Sequence, residues 1–258
     1  MKYTRCGSDD VLQLRRLWKE VFEDSDAFLD LFFERIFPNC DTFAARDGET
    51  VIAMLFALPQ SICCAEQTKK AAYVYAAAVK KEYRGQGVFR GLMEFCKKKL
   101  QNRFASCILL ACETAELAEM YRKLGFEGCR MQFEPAALPK ANGEAMKIGA
   151  VDYAGIRETV LFDTPHVRYD KTLLEFEGVL ADFYALQTPT LAGCAAVRKL
   201  PDGRLRCDEL LPDRRILPAL AAALGEKEIL LVSEPPRFML CPLQIQKTDM
   251  PYAAFFFD

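Results

Sequence analysis

The segment from Ala71 to Arg103 constrains this chain more than any other. Ala71 to Val79 reads as a buried strand, Lys80 to Gly87 as a polar loop holding Gly85 and Gly87, and Gly87 to about Arg103 as a helix. A strand that runs through closely spaced glycines into a helix leaves the first-turn N–H groups unpaired and facing outward, and the helix dipole adds partial positive charge there. Such a joint suits a phosphate. Eight positive side chains lie between Lys80 and Arg103 against only Glu82 and Glu94, inside a chain of net charge −2. The same run also fits an ordinary solvated helix face with a tight turn.

The surrounding pattern implies α/β layers. Asp9 to Phe22 and the stretch from Ser25 or Asp26 to Ile36 read as helices, the second stopped by Pro38-Asn39. Thr42 to Arg46, Thr50 to Leu58 and Ser61 to Glu66 read as antiparallel meander strands broken at Pro59, followed by the segment above, a strand Ser106 to Cys112 and a helix Glu116 to Leu124 ended by Gly125. Pro135 to Gly149, rich in Pro, Ala, Lys, Asn and Gly, reads as a linker. Beyond it the element order partly recurs: helices at Tyr153–Leu161 and Lys171–Leu180, a hairpin Asp182–Thr188 and Leu191–Lys199, a strand Arg204–Leu211, a helix Arg214–Leu224 and a strand Glu228–Val232. The second copy has Leu211-Pro212-Asp213-Arg214 where the first has its glycine loop. The division expected is 1–135, a linker 136–149, and 150–258.

Several function classes are disfavoured. A near-neutral charge supplies no global field for nucleic acid or an anionic membrane. The longest uncharged run, Val51 to Ala65, is too short to span a bilayer, and Met1 to Asp10 lacks the apolar core of a secretory signal, so a cytoplasmic protein is expected. Eleven scattered cysteines without a C-x-x-C pair indicate reduced, mostly buried thiols and no zinc site. The lone histidine, His166, has no partner histidine for a metal site or a Ser-His-Asp triad and reads as an exposed residue flanking a helix. Trp18, Phe22, Phe28, Phe32 and Phe33 read as core at this spacing.

Three phosphate-binding patterns can be set against the loop. No Gly-Lys-Ser/Thr occurs, which removes the P-loop. The dinucleotide pattern G-x-G-x-x-G matches Gly85 and Gly87 but meets Arg90 at its third glycine, with Gly91 one step late; Glu113 remains as a ribose-binding candidate. Arg84-Gly85-Gln86-Gly87-Val88-Phe89 resembles [RQ]-x-x-G-x-[GA], the pyrophosphate loop of the GCN5-related N-acetyltransferases, departing only at Phe89. About 35 residues on, Tyr121-Arg122-Lys123-Leu124-Gly125-Phe126, at the end of Glu113 to Phe126, resembles that family's closing signature. The resemblance covers roughly Met1 to Phe133. Phe89-Arg90-Gly91-Leu92-Met93 and the paired helices around Trp18 are similar to the tandem-domain branch of enhanced intracellular survival-type proteins, without room for its sterol-carrier-like third domain.

The resemblance implies an α/β (α+β) fold of two acetyltransferase-like domains, each a mixed, mostly antiparallel twisted sheet flanked by helices, the first catalytic and the second degenerate. It implies acetyl-CoA as co-substrate and no metal. Val79 would bond the pantetheine, the backbone of Gly85, Gln86, Gly87, Val88, Phe89 and Arg90 would hold the pyrophosphate with charge from Arg84 and Arg90, and Tyr121 would protonate the departing thiolate. A plain packing role for the Tyr121 ring is the alternative. Glu113 and Glu82 are the candidate bases, and Asp258 is expected to lie in the last strand of the second domain. The acceptor would be a small-molecule or peptide amine, with neither nucleic acid nor membrane as partner; homo-oligomerisation stays open. A non-catalytic acyl-CoA-binding module and a nicotinamide oxidoreductase are the rival readings.

Overall fold

The computed structural model describes residues 1–103, 105–129, 132–232, 238–244 and 250–254. In chain order β1 (Lys2–Cys6) precedes α1 (Val11–Val21), α2 (Asp26–Arg35), β2 (Asp41–Asp47), β3 (Thr50–Cys64) and β4 (Gln67–Val79). Then come α3 (Val88–Gln101), β5 (Cys107–Leu110), α4 (Ala115–Arg122), β6 (Glu127–Gly128), β7 (Phe133–Ala137) and β8 (Glu144–Ile148). The rest is α5 (Ala150–Val160), β9 (His166–Arg168), α6 (Lys171–Leu180), β10 (Asp182–Gln187), β11 (Ala192–Lys199), β12 (Leu205–Leu211), α7 (Leu217–Leu224), β13 (Glu228–Val232) and β14 (Met239–Pro242). Side chains cap three of the helices: Ser25 accepts from the Phe28 amide, Thr114 from that of Leu117, and Asp170 from that of Leu173.

The strands form two sheets. One runs β1-β2-β3-β4-β5-β14-β6, with β9 paired to β3; the other runs β7-β13-β12-β11-β10-β8. Each has a single parallel pair among otherwise antiparallel neighbours, β4 with β5 across α3 and β12 with β13 across α7. The two sheets repeat one topology, flanked by helices at equivalent positions. They also exchange strands: β7 leaves the first half to pair with β13, and β14 leaves the second half to lie between β5 and β6. Gly128 makes that insertion possible. At its φ of +122° a Cβ would stand 2.4 Å from the Phe238 carbonyl oxygen, a contact no side chain tolerates.

Three cores follow from these layers. One face of the first sheet packs on α3 and α4 around Leu92, Met93, Cys96 and Phe126, and the second sheet packs on α7 around Ile216 and Leu220. The third and largest is shared by both halves, joining Trp18, Phe32 and Phe56 to Phe176, Phe183 and Leu240. Trp18 is its centre, in ring contact with Phe22, Phe28, Phe32, Phe33, Phe56 and Tyr75, while its indole N–H donates to Asp24 at 2.8 Å. The second half adds a buried ion pair. Arg157 meets Glu209 at 3.0 Å, donates to the Val167 carbonyl at 2.8 Å, and so ties α5 to β12 and β9.

Three expectations change. β3 is one strand through Pro59 rather than two, because Pro59 falls between the end of β2, opposite Ala57, and the start of β9, opposite Ser61, where its missing N–H breaks no rung on that side. The Pro135–Gly149 stretch is not a bare linker: it supplies β7 and β8, edge strands mostly exposed and therefore without apolar alternation. His166 is buried on β9, its ring nitrogens 2.8 Å from the Thr164 carbonyl and 3.2 Å from Glu158. Asp258 lies outside the described residues. All eleven cysteines are free and seven are buried. No helix among the described residues is long and apolar enough to cross a membrane.

The insertion of β14 between β5 and β6 leaves residues 1–132 without a complete sheet. A fragment of residues 1–132 is expected to lack a cooperative thermal transition by circular dichroism, and to regain one when the complementary fragment 133–258 is co-expressed. A cooperative transition of the isolated fragment would contradict the exchange.

Candidate functional site

The site grows from a divergence between two strands. β4 and β5 pair only from Ala71–Tyr73 to Cys107–Leu109, after which β4 continues to Val79 with no β5 partner. Backbone polar groups on that edge are left to a ligand or to water. A bulge accompanies the divergence: Met54 faces Ala78 and Phe56 faces Tyr75, so Ala76 and Ala77 together oppose Leu55. Ala76 takes a φ of +44°, a strained conformation for a residue with a side chain.

The loop beyond β4 leads into α3. Gly85 and Gly87 have φ of +75° and +78°, with open space where a side chain would stand. Gly87 is the N-cap of α3 and offers no capping side chain, so the first-turn amides of Val88, Phe89 and Arg90 have no intrahelical acceptor. The arrangement presents N–H donors and a positive dipole end to an anion. Arg84 clasps the strand end, its Nε donating to the Val79 carbonyl at 3.0 Å. Gln86 donates to the Glu82 carbonyl at 2.7 Å and so pins the loop from outside.

Loop, strand edge and α4 enclose a cavity of about 600 Å³, lined by Val21, Ala77, Ala78, Val79, Tyr83, Arg84, Gly85, Gly87, Val88, Phe89, Arg90, Leu117, Met120, Tyr121, Lys123 and Leu124. Tyr121 is largely buried in its wall, ring edge against Phe89 at 5.9 Å and Phe126 at 5.6 Å. Burial, with a smaller contribution from nearby Cys112, pushes its phenol well above the ordinary tyrosine range. The phenol therefore stays protonated at neutral pH, a donor facing a mostly apolar space. No carboxylate lines the cavity among the described residues.

Of the residues singled out by sequence, Val79, Arg84, Gly85, Gly87, Val88, Phe89, Arg90 and Tyr121 come together on this cavity, and Gln86 does not line it. The Val79 carbonyl already accepts from Arg84. Glu82 and Glu113 are exposed and outside the lining. The positive run divides: Lys97 donates to the Leu124 carbonyl, and Arg103, past the end of α3, pairs with Asp41 at 2.6 Å. Sequence reasoning missed the Ala76 bulge, for which alanine carries no signal, and the apolar wall of Val21, Leu117 and Met120, whose residue types are those of any helix. Gly91 has its own task, since a Cβ there would meet the Tyr3 hydroxyl oxygen at 1.9 Å.

The matching joint of the second half carries a carboxylate where the first has its glycines. Asp213 accepts from the Arg215 amide at 2.9 Å and meets its guanidinium at 2.7 Å. Those bonds hold its carboxyl down to about 2, so a negative charge already occupies the turn before α7.

Comparison with known proteins agrees with this geometry. Residues 2–129 match the family described as Acetyltransferase (GNAT) domain. No curated protein sequence matches the chain significantly. Among solved structures, a probable N-acyltransferase from Enterococcus faecalis V583 is similar at 15% identity and TM-score 0.72, over 95% of this chain and 73% of that one. A GCN5-related N-acetyltransferase from Anabaena variabilis ATCC 29413 is similar at 14% identity and TM-score 0.74, over 95% and 73%. Eis1 from Mycobacterium abscessus is similar at 13% identity and TM-score 0.66, over 94% and 74%. At these identities the likeness is one of fold, and it extends through both halves.

The loop's left-handed glycines give a direct test. Gly87→Ala, with room for the methyl but not the φ, is expected to lower stability by about 1–2 kcal/mol in urea denaturation, whereas Gln86→Ala, at an exposed position, costs less.

Proposed function

Residues 2–129 belong to the GNAT acetyltransferase domain family, and from that premise we propose that the chain moves an acetyl group from acetyl-CoA to an amine by direct attack on the thioester. The single observation that carries this reading is the convergence of a glycine loop, an unpaired strand edge and a protonated tyrosine on one cavity. The pyrophosphate of acetyl-CoA would take the amides from Gly85 to Arg90, with Arg84 and Arg90 supplying charge. The pantetheine would run along the free edge of β4, adding to the sheet as a strand would, and the thioester would reach the bulge at Ala76 and Ala77.

The chemistry then needs three movements. The amine nitrogen attacks the thioester carbon, the C–S bond breaks, and the Tyr121 hydroxyl gives its proton to the departing thiolate. Tyr121 recovers a proton from solvent. The acylated nitrogen loses its extra proton to water, because neither Glu82 nor Glu113 lines the cavity. With no carboxylate in the lining, the acceptor is an amine that keeps about a tenth or more of its population neutral near pH 7, such as a peptide α-amine with a pKa of about 7.7–8.0, rather than a polycation. An apolar group beside that amine would meet Val21, Leu117 and Met120.

In this reading residues 1–132 with β14 form the catalytic domain and residues 133–232 the degenerate one, its own anion site filled by Asp213. Tyr121→Phe is expected to lower acceptor-dependent release of CoA thiol by about a hundredfold or more, with acetyl-CoA affinity nearly unchanged. Unchanged turnover would remove Tyr121 from the acid role. Acetyl-CoA binding with no Tyr121-dependent thiol release from any amine would instead mark a non-catalytic acyl-CoA-binding module.

A further inference from the structure

Arg84 stands where the glycine loop meets the free strand edge, and it holds that edge shut. Val79 lies opposite Ala53, and the Lys80 amide donates to the Ile52 carbonyl at 2.9 Å. In an antiparallel ladder that bonding turns the amide and carbonyl of Val79 itself away from β3, towards the edge that β5 has left. The Arg84 Nε–H takes this carbonyl at 3.0 Å. Neighbouring strands lie about 4.8 Å apart, so a guanidinium bonded here sits in the lane that an added strand, or a pantetheine bonded like one, has to enter.

The bond is one that a phosphate can break. A carbonyl is a neutral acceptor, and Arg84 forms no ion pair among the described residues, whereas Lys80 lies 4.0 Å from Glu20. A guanidinium bonds a phosphate about twice as strongly as it bonds a neutral oxygen, and two of its N–H groups can engage at once. The place for that phosphate is next in the chain, on the amides that follow Gly85 and Gly87. Gln86 pins the loop backbone to the Glu82 carbonyl at 2.7 Å, while Arg84 is exposed. Its side chain is therefore free to swing from the edge to the loop with the backbone left in place.

We propose that Arg84 is a latch that makes the donor site select thioesters carrying a pyrophosphate. With the loop empty, the guanidinium closes the Val79 carbonyl. A pyrophosphate on the loop draws it away, the edge opens, and the pantetheine adds to β4. A CoA thioester supplies both parts on one molecule and opens its own path. A thioester on pantetheine alone meets a closed edge, and it breaks the Arg84 bond with no phosphate to replace it. This selection rests on acetyl-CoA being the donor, and a loop and an edge acting independently do not provide it.

Isothermal titration of the full chain with pantetheine, ADP and CoA separates a latch from a plain phosphate contact. In the wild-type chain saturating ADP is expected to tighten pantetheine about fivefold or more, and saturating pantetheine to tighten ADP by the same factor. Arg84→Ala, a change at an exposed side chain, is expected to weaken ADP, to tighten pantetheine alone by about the same fivefold, and to abolish the effect of each fragment on the other. A residue that only binds phosphate weakens ADP on removal and leaves pantetheine unmoved. That pattern overturns the proposal, as does independent binding of ADP and pantetheine to the wild-type chain. CoA keeps the two claims apart: if CoA binds and the fragments do not couple, the latch fails and the donor assignment stands, whereas a wild-type chain that binds no CoA loses both.

Discussion

The divergence of β4 from β5 is the constraint on which the rest of this structure depends. Two parallel strands that pair for three residues and then separate leave a wedge in the sheet, and everything around the wedge answers to it. The bulge at Ala76 and Ala77 re-aims the backbone, the glycine loop turns the chain at the wedge's mouth, and α3 starts there with its amides facing in. α4 closes the other side with Tyr121. A sheet that stayed paired through Val79 would have a continuous hydrogen-bond ladder and no room for a ligand.

A wedge weakens a sheet, and the strand exchange offsets that weakness. β14 pairs with β5 over Met239–Pro242 and with β6 over Met239–Leu240, closing the half-sheet that the divergence leaves behind. β7 does the same for β13. The shared core around Trp18 and Phe176 then makes the two halves one folding problem.

Much of the first half was legible in the sequence because its signals are local. Gly85 and Gly87 read as a turn since only glycine adopts their φ without strain, and the helices declared themselves through periodicity and through Ser25, a capping residue. Tyr121 was marked by a motif, and the fold places it on the cavity. What stayed hidden is nonlocal or chemically silent. The pairing of Met239 with Leu110 joins residues far apart in sequence, and nothing in either segment names the other. β7 and β8 are edge strands exposed on most positions, so they carry loop-like composition. His166, beside Pro165 and a run of polar residues, looks like surface, yet Thr164 and Glu158 satisfy its ring and allow it to be buried. The eight positive charges look like one patch in sequence, but α3 carries half of them away from the loop.

Thermal unfolding of the full chain with acetyl-CoA, set beside NADH and ATP at equal concentration, tests the central claim most directly. A ligand that binds only the folded chain at a hundred times its dissociation constant adds about 2.7 kcal/mol. A raised midpoint is expected with acetyl-CoA and none of comparable size with NADH or ATP. An unmoved midpoint with acetyl-CoA, or a larger shift with NADH, would contradict it.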